Sequence, residues 1–341
     1  MTIMNAFGEG VRRVNRAPAV FLAVLLLTFL IVLPLGLTLR GMLQEHLGSS
    51  LAAAAAADGV NDEWWTEFSS QAQGVGETFT PGIIGFAAVL ENLSGILDNR
   101  PQAVVITGVA FAYVVLWVFL AGGILDRYAR NRPTRSAGFF AASGVFFFRF
   151  LRLAVIAGLV YWFLFAYVHA WLFRLLYPAW IRDFTVERSA FLVRMGLYAV
   201  FALLLAAANI VFDYAKVRAV VEDRRSMVGA ILAALRFVRR HAAAVAGLYL
   251  LDGLLFAAVL ALYALVAPGA GSAGWSMWIG FLVSQLYILA RIWAKLVFYA
   301  SETVLFQQAL AHAEYTATPA PVWPESPAAE AIMPGEDDKQ D

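Results

Sequence analysis

The sequence predicts an all-α membrane protein, a polytopic bundle of six transmembrane helices with additional amphipathic helices at the membrane interface. Of its 341 residues, 61% are hydrophobic and 14% are charged, whereas charged residues make up about 25% of an average soluble domain. The apolar residues are gathered into charge-poor runs long enough to supply the roughly 20 residues that cross about 30 Å of hydrocarbon. These observations exclude an ordinary soluble globular protein.

Six apolar runs of spanning length follow one another, at residues 18–39, 102–125, 153–173, 195–212, 242–266 and 275–298. Three arginines precede the first run, as they do in a signal peptide. Its length of 22 residues nevertheless exceeds the roughly 7 to 15 residues of a signal-peptide core. We expect this run to be retained as a signal-anchor, so that the membrane domain covers residues 18–312.

The orientation is predicted by the distribution of basic residues. Sixteen Lys and Arg residues lie in the segments 1–17, 126–152 and 213–241, whereas the segments on the opposite side of the membrane hold six. Because short cytoplasmic loops carry the excess of Lys and Arg, we expect both termini to be cytoplasmic. Residues 1–17 are then a cytoplasmic tail.

The longest loop, residues 40–101, falls on the exported side. Between residues 81 and 99 its apolar residues recur close to helical spacing, which predicts a helix lying on the outer membrane surface. Two interpretations stay open. The loop is either a ligand-binding cap over the bundle or a packed structural lid, and long loops carry function often but not always.

The two main cytoplasmic loops share a pattern that indicates a duplicated unit. Ser136 precedes Arg149 by 13 residues, and Ser226 precedes Arg239 by the same number, with an apolar stretch between them in both copies. Each copy predicts an amphipathic helix at the inner leaflet. In the second copy the apolar stripe consists of Met227, Ile231, Leu235 and Val238. Arg236, Arg239 and Arg240 are therefore candidate contacts for lipid phosphates, or anchors that only fix the topology.

The segment 313–341 differs in composition from the rest of the chain. It is rich in proline and acidic residues and poor in apolar ones, which predicts disorder. Such a tail either docks a partner protein or is simply solvated.

Charged residues inside a span are costly and usually face protein or water. The candidate intramembrane cluster consists of Asp252 in the fifth span and Arg291, Lys295 and Glu302 on or just beyond the sixth. One interpretation is a charged lining of a substrate or ion pathway. The other is an ion pair between Asp252 and Arg291 that locks the two spans together, with Lys295 reaching the inner interface.

Catalytic, metal-binding and cofactor-binding patterns are missing from the sequence. It has no cysteine, and its four histidines do not have the spacing of a zinc site. It also has no phosphate-binding loop and no nucleophile elbow. A net charge of +1 gives no basic excess for nucleic acid. We therefore expect no catalytic residue, no metal and no cofactor.

The segment Asp213–Ser226, which reads DYAKVRAVVEDRRS, resembles uncharacterised bacterial six-span integral membrane proteins. The closing segments Ala290–Trp293 and Tyr299–Glu302 are similar to theirs as well. The chain also loosely resembles the membrane domain of glycerophosphodiester phosphodiesterases, without their catalytic domain. The resemblance implies a bacterial inner-membrane protein, and it carries over no activity.

Together these observations favour a non-enzymatic membrane protein that acts in envelope organisation or as the membrane partner of another complex. The alternative is a transporter or channel with a charged pathway along spans five and six. The partners expected from sequence are membrane lipids and a protein bound through the exported loop or the acidic tail.

Overall fold

The computed structural model of the protein describes residues 3–57, 61–80, 85–267 and 274–312, and these residues contain helices but no strand. The helices are α1 (Ile3–Asn15), α2 (Pro18–Ser49), α3 (Ala53–Ala57), α4 (Asp62–Gln71), α5 (Phe86–Leu97), α6 (Val104–Arg130), α7 (Ser136–Phe163), α8 (Tyr177–Ile181), α9 (Glu187–Val221), α10 (Met227–Arg240), α11 (Ala242–Val266) and α12 (Trp275–His312). The acidic tail at 313–341 lies outside the described residues.

The six predicted spans are confirmed as helices long and apolar enough to cross a membrane. They are α2, α6, α7 with its continuation to Ile181, α9, α11 and α12. Two six-residue π-helical segments, Leu164–His169 and Trp171–Leu176, join α7 to α8. The protein is therefore a multi-pass membrane protein with an all-α fold.

The segment expected to be an N-terminal tail contains the helix α1, which packs against α11 and α12. Its buried residues are Ala6, Gly10 and Val14, spaced by one helical turn. Gly10 allows the closest approach, because a Cβ there would lie 2.7 Å from the backbone nitrogen of Ser301. We call the end of the bundle that carries α1 the α1 end.

The packed core sits at the α1 end. In the second half of α12, the residues from Tyr299 to Phe306 are all buried. The last turns of α6 are buried in the same way, from Leu120 to Tyr128. The opposite halves of the spans expose large apolar side chains on their outer surfaces, as expected for helices that contact lipid.

Of the two predicted amphipathic helices, only the second is a separate element. α10 ends at Arg240, and the chain bends at His241 before α11 begins. In the first copy, α7 continues unbroken from Ser136 through the span, so the prediction of a separate helix there was wrong. The stretch from 137 to 148 carries no charge and can therefore run on into the apolar core.

The residues of α10 that pack against other helices differ in part from the predicted apolar stripe. Its buried residues include Met227, Ala230, Ala234 and Phe237, whereas Leu235 is 42% exposed. Arg236, Arg239 and Arg240 are all exposed.

On the opposite end, α5 confirms the predicted helix from residue 86 onward, and residues 81–84 lie outside the described residues. Its last turn is attached to the bundle. His169 Nε2 lies 2.7 Å from the carbonyl oxygen of Leu97, and Asp98 accepts hydrogen bonds from Tyr198 and Arg194 of α9. The end of the loop 40–101 is thus docked on spans three and four.

Candidate functional site: a lysine cavity and a buried carboxyl cluster

A cavity of about 230 Å³ lies between α6, α7, α9 and α12. Its lining is mostly apolar and aromatic, with two ammonium groups, those of Lys216 on α9 and Lys295 on α12. We call it the lysine cavity. Its volume equals roughly eight water molecules at about 30 Å³ each, which suits a headgroup or a short segment of an acyl chain.

Lys295 contacts aromatic rings in the lysine cavity. Its Nζ lies 3.4 Å from the centroid of the Trp117 ring and 5.7 Å from that of Tyr113. The ring faces stabilise the ammonium through cation–π interaction. In the part of the chain that the structure describes, no carboxylate lies within salt-bridge distance of Lys295 and no side chain or carbonyl accepts a hydrogen bond from it.

Lys216 differs from Lys295 because it has an anionic partner. Its Nζ lies 2.5 Å from Asp213 Oδ1 and 3.5 Å from the hydroxyl oxygen of Tyr299. Residues three apart on a helix lie on the same side, so α9 supplies both members of this pair. Lys295 is therefore the cation of the cavity whose charge is not neutralised by a neighbouring carboxylate.

Hydrogen bonds hold the wall of the lysine cavity that α7 and α9 form. Tyr161 donates to Asn209 Oδ1 at 3.2 Å, and Asn209 Nδ2 donates to the hydroxyl oxygen of Tyr249 at 3.0 Å. These bonds link α7, α9 and α11. Amide and hydroxyl groups commonly join helices within a membrane in this way.

A second group of polar side chains lies closer to the α1 end. Asp252 is 0% exposed, and its Oδ2 accepts a hydrogen bond of 2.7 Å from Ser301 Oγ, whereas its Oδ1 has no partner among the described residues. Glu302 is 2% exposed, and neither of its carboxyl oxygens has a partner in the same part of the chain. We call Asp213, Asp252 and Glu302 the carboxyl cluster, since Glu302 interacts electrostatically with the other two.

The expected ion pair between Asp252 and Arg291 is not formed, so that prediction was wrong. Arg291 is exposed, and its guanidinium lies 5.9 Å from the centre of the Tyr287 ring. Asp252 instead lies level with Ser301, ten residues beyond Arg291 and about 15 Å away along the helix. The error in depth arises because α12 continues to His312, well past the predicted end of the span at residue 298.

The four predicted charges therefore separate into three places. Lys295 lines the lysine cavity, Asp252 and Glu302 belong to the carboxyl cluster, and Arg291 lies on the outer surface of α12. Arg236, Arg239 and Arg240 remain on the exposed face of α10, apart from both sites.

The sequence did not identify Asp213 and Lys216 as a pair inside the bundle. The predicted fourth span ends at residue 212, directly before the first charge, so Lys216 counts among the loop residues. In the structure α9 continues to Val221. Because the two charges pair with each other, both side chains can lie among apolar neighbours. An aspartate and a lysine three residues apart at the end of an apolar run are the signal for such a pair.

Among the described residues, no group of three His, Cys, Asp or Glu side chains could hold a metal ion. Comparison of the chain with models of known protein families, with characterised proteins and with solved structures finds no match.

Proposed function

We propose that the protein binds an anionic amphiphile of the membrane, a molecule with an acyl chain and a carboxylate or phosphate group, in the lysine cavity. The observation that carries the proposal is the ammonium of Lys295, which lies in an aromatic cavity without a carboxylate partner among the described residues. The protein is then a non-enzymatic binding protein or carrier.

Electrostatics support an anionic ligand. A charge away from bulk water is costly unless it is paired, and cation–π contact offsets only part of that cost. An anion at Lys295 would complete the pairing. The apolar walls provided by α6 and α7 suit the acyl chain next to that anion.

The position of the cavity supports entry from the bilayer. Val114 lines the cavity and is 51% exposed on the outer surface of α6. An exposed valine in the middle of a spanning helix contacts lipid. A membrane lipid therefore has access between α6 and α7 without leaving the apolar phase.

The proposal is tested by measuring lipid binding to the purified full chain with native mass spectrometry, using phosphatidylglycerol, oleate and phosphatidylcholine as probes. The unchanged protein is expected to retain one anionic lipid in preference to the zwitterionic one. Lys295→Met should weaken this binding by about tenfold or more, because a hydrogen bond to a charged group contributes about 1.5 to 3 kcal/mol.

The matched control is Arg291→Met, which removes a cation one helical turn away on the exposed side of α12. Its binding should equal that of the unchanged protein. Equal retention of phosphatidylcholine, or anionic binding that survives Lys295→Met, would contradict the proposal.

We also propose that the α1 end faces the cytoplasm of a bacterial cell and that the protein resides in the inner membrane. The excess of Lys and Arg in the segments at that end supports this orientation. A role in envelope organisation, or a protein partner bound through the exported loop or the acidic tail, stays a prediction.

A further inference from the structure

A line of ionisable side chains runs from the lysine cavity toward the α1 end. Lys295, Tyr299 and Glu302 share one face of α12, since they stand four and three residues apart. Lys216 contacts Tyr299 and pairs with Asp213. Asp213 thus lies beside the cavity, and Glu302 lies about 10 Å along the helix axis from Lys295.

Ionisable side chains of α9, α11 and α12 interact electrostatically with Glu302. α9 contributes Asp213, Tyr214 and Lys216, α11 contributes Tyr249 and Asp252, and α12 contributes Tyr299.

The described residues of the other neighbouring helices bring no charge to this position. α10 places Phe237 against Phe306, and the ring of its neighbour His241 packs on Phe237. α1 places Gly10 on Ser301, and its Glu9 pairs with its own arginines. On α6, the buried Arg127 extends toward the backbone of Arg16.

The carboxyl cluster therefore holds three acids and a single neighbouring ammonium. Within the described structure, the two oxygens of Glu302 and the Oδ1 of Asp252 are buried without a hydrogen-bond donor. The hydroxyl of Tyr214, which is 1% exposed, has no partner there either and interacts electrostatically with all three acids. Fully ionised, the cluster would carry two uncompensated negative charges in a buried core, which is unfavourable.

We propose that the carboxyl cluster is a proton-binding site centred on Glu302, and that proton uptake there strengthens anion binding at Lys295. The coupling rests on the proposed function of the lysine cavity. Protonation of Glu302 removes a negative charge along the line that leads to Lys295, so the electrostatic potential in the cavity becomes more positive. Because coupling between two sites is reciprocal, a bound anion should also favour the protonated form of Glu302.

The test measures phosphatidylglycerol binding from mildly acidic to mildly alkaline pH, since a phosphodiester keeps its charge over this range. In the unchanged protein we expect affinity to fall several-fold as the pH rises. Glu302→Gln, which mimics the protonated acid, should bind with the higher affinity at every pH. The control Glu187→Gln alters an exposed carboxyl at the start of α9 and should keep the pH dependence.

A second measurement does not depend on the ligand. Infrared spectra of the unchanged protein should contain the carbonyl band of a buried protonated carboxyl, and Glu302→Gln should remove it. Should Glu302→Gln fail to fold, Asp252→Asn replaces it, because its side-chain oxygen can still accept the bond from Ser301.

The outcomes separate the two proposals. Selective anion binding that is lost in Lys295→Met but constant with pH would overturn the coupling and leave the proposed function standing. Equal binding of anionic and zwitterionic lipids by the unchanged protein would overturn both the proposed function and the coupling. The infrared band alone would then show whether the carboxyl cluster binds a proton. Absence of that band would overturn the site itself.

Discussion

At the scale of the residue, the two lysines of the cavity show how a neighbour decides what a charge can do. Lys216 is neutralised by Asp213 at 2.5 Å, so its ammonium serves mainly to hold α9 among apolar side chains. Lys295 meets only ring faces in the described structure.

The sequence predicted Lys295 because it interrupts an apolar run. The partners that it offered for the intramembrane charges were wrong, because pairing depends on the depth at which the helices meet.

Asp98 provides a residue-scale prediction that depends on pH. The hydroxyl of Tyr198 donates to its carboxylate, as do Ser94, Arg100 and Arg194, and these bonds hold the pKa of Asp98 below its ordinary value of 3.8. A lowered pKa in the folded state means that ionised Asp98 stabilises the docked loop at pH values above the ordinary value. This contribution is lost as the pH falls through the lower pKa of the docked form.

We expect Asp98→Asn to speed hydrogen exchange of the α5 backbone several-fold at neutral pH, as measured by mass spectrometry. At a pH below both pKa values the variant and the unchanged protein should exchange at similar rates. Glu91→Gln is the control, because it alters an exposed carboxyl on the same helix. A difference that persists in acid would show that the charge of Asp98 is not what holds the loop.

At the scale of the element, periodicity predicted α10 and missed α1, although both helices are amphipathic. α10 was expected from its apolar stripe and its opposing arginines, and it is present. α1 buries Ala6, Gly10 and Val14, and its larger residues Ile3 and Phe7 pack against the same core. These residues recur at helical spacing. The helix was missed because the segment precedes the first apolar run and its arginines were used only to predict the topology, so a tail was expected there.

The glycines of α1 give a matched pair of substitutions. A Cβ on Gly10 would collide with the backbone of Ser301 at 2.7 Å, whereas a Cβ on Gly8 meets nothing within 4 Å. Gly10→Ala should destabilise the protein by about 1 to 3 kcal/mol through overpacking. Gly8→Ala should stabilise it by about 0.5 to 1 kcal/mol, because alanine favours a helix.

Thermal unfolding in detergent measures both effects on the full chain. The two variants should shift the Tm in opposite directions. A shift in the same direction for both would mean that α1 does not pack on α12 as the structure places it.

At the scale of the whole molecule, the sequence determined the number of spans but not where the protein is packed. Hydropathy counts apolar residues regardless of whether they face lipid or protein, so it cannot locate a core within an apolar bundle. In the structure the core gathers at the α1 end, where α12, α6 and α1 are held by polar bonds. Arg13 donates to the carbonyl oxygen of Tyr128 at 2.7 Å and to Gln307 Oε1 at 2.8 Å.

This asymmetry makes the orientation of the protein worth measuring, because it decides which side of the membrane reaches the carboxyl cluster. The chain has no cysteine, so single cysteines can be introduced at Ser69 on α4 and at Arg239 on α10, both of which are exposed. The excess of basic residues at the α1 end predicts that this end is cytoplasmic. A membrane-impermeant thiol reagent applied to intact cells should then label Ser69→Cys alone, and Arg239→Cys should react only after the membrane is opened. Labelling of Arg239→Cys from outside would reverse the orientation, and protons for the carboxyl cluster would then come from the exported side.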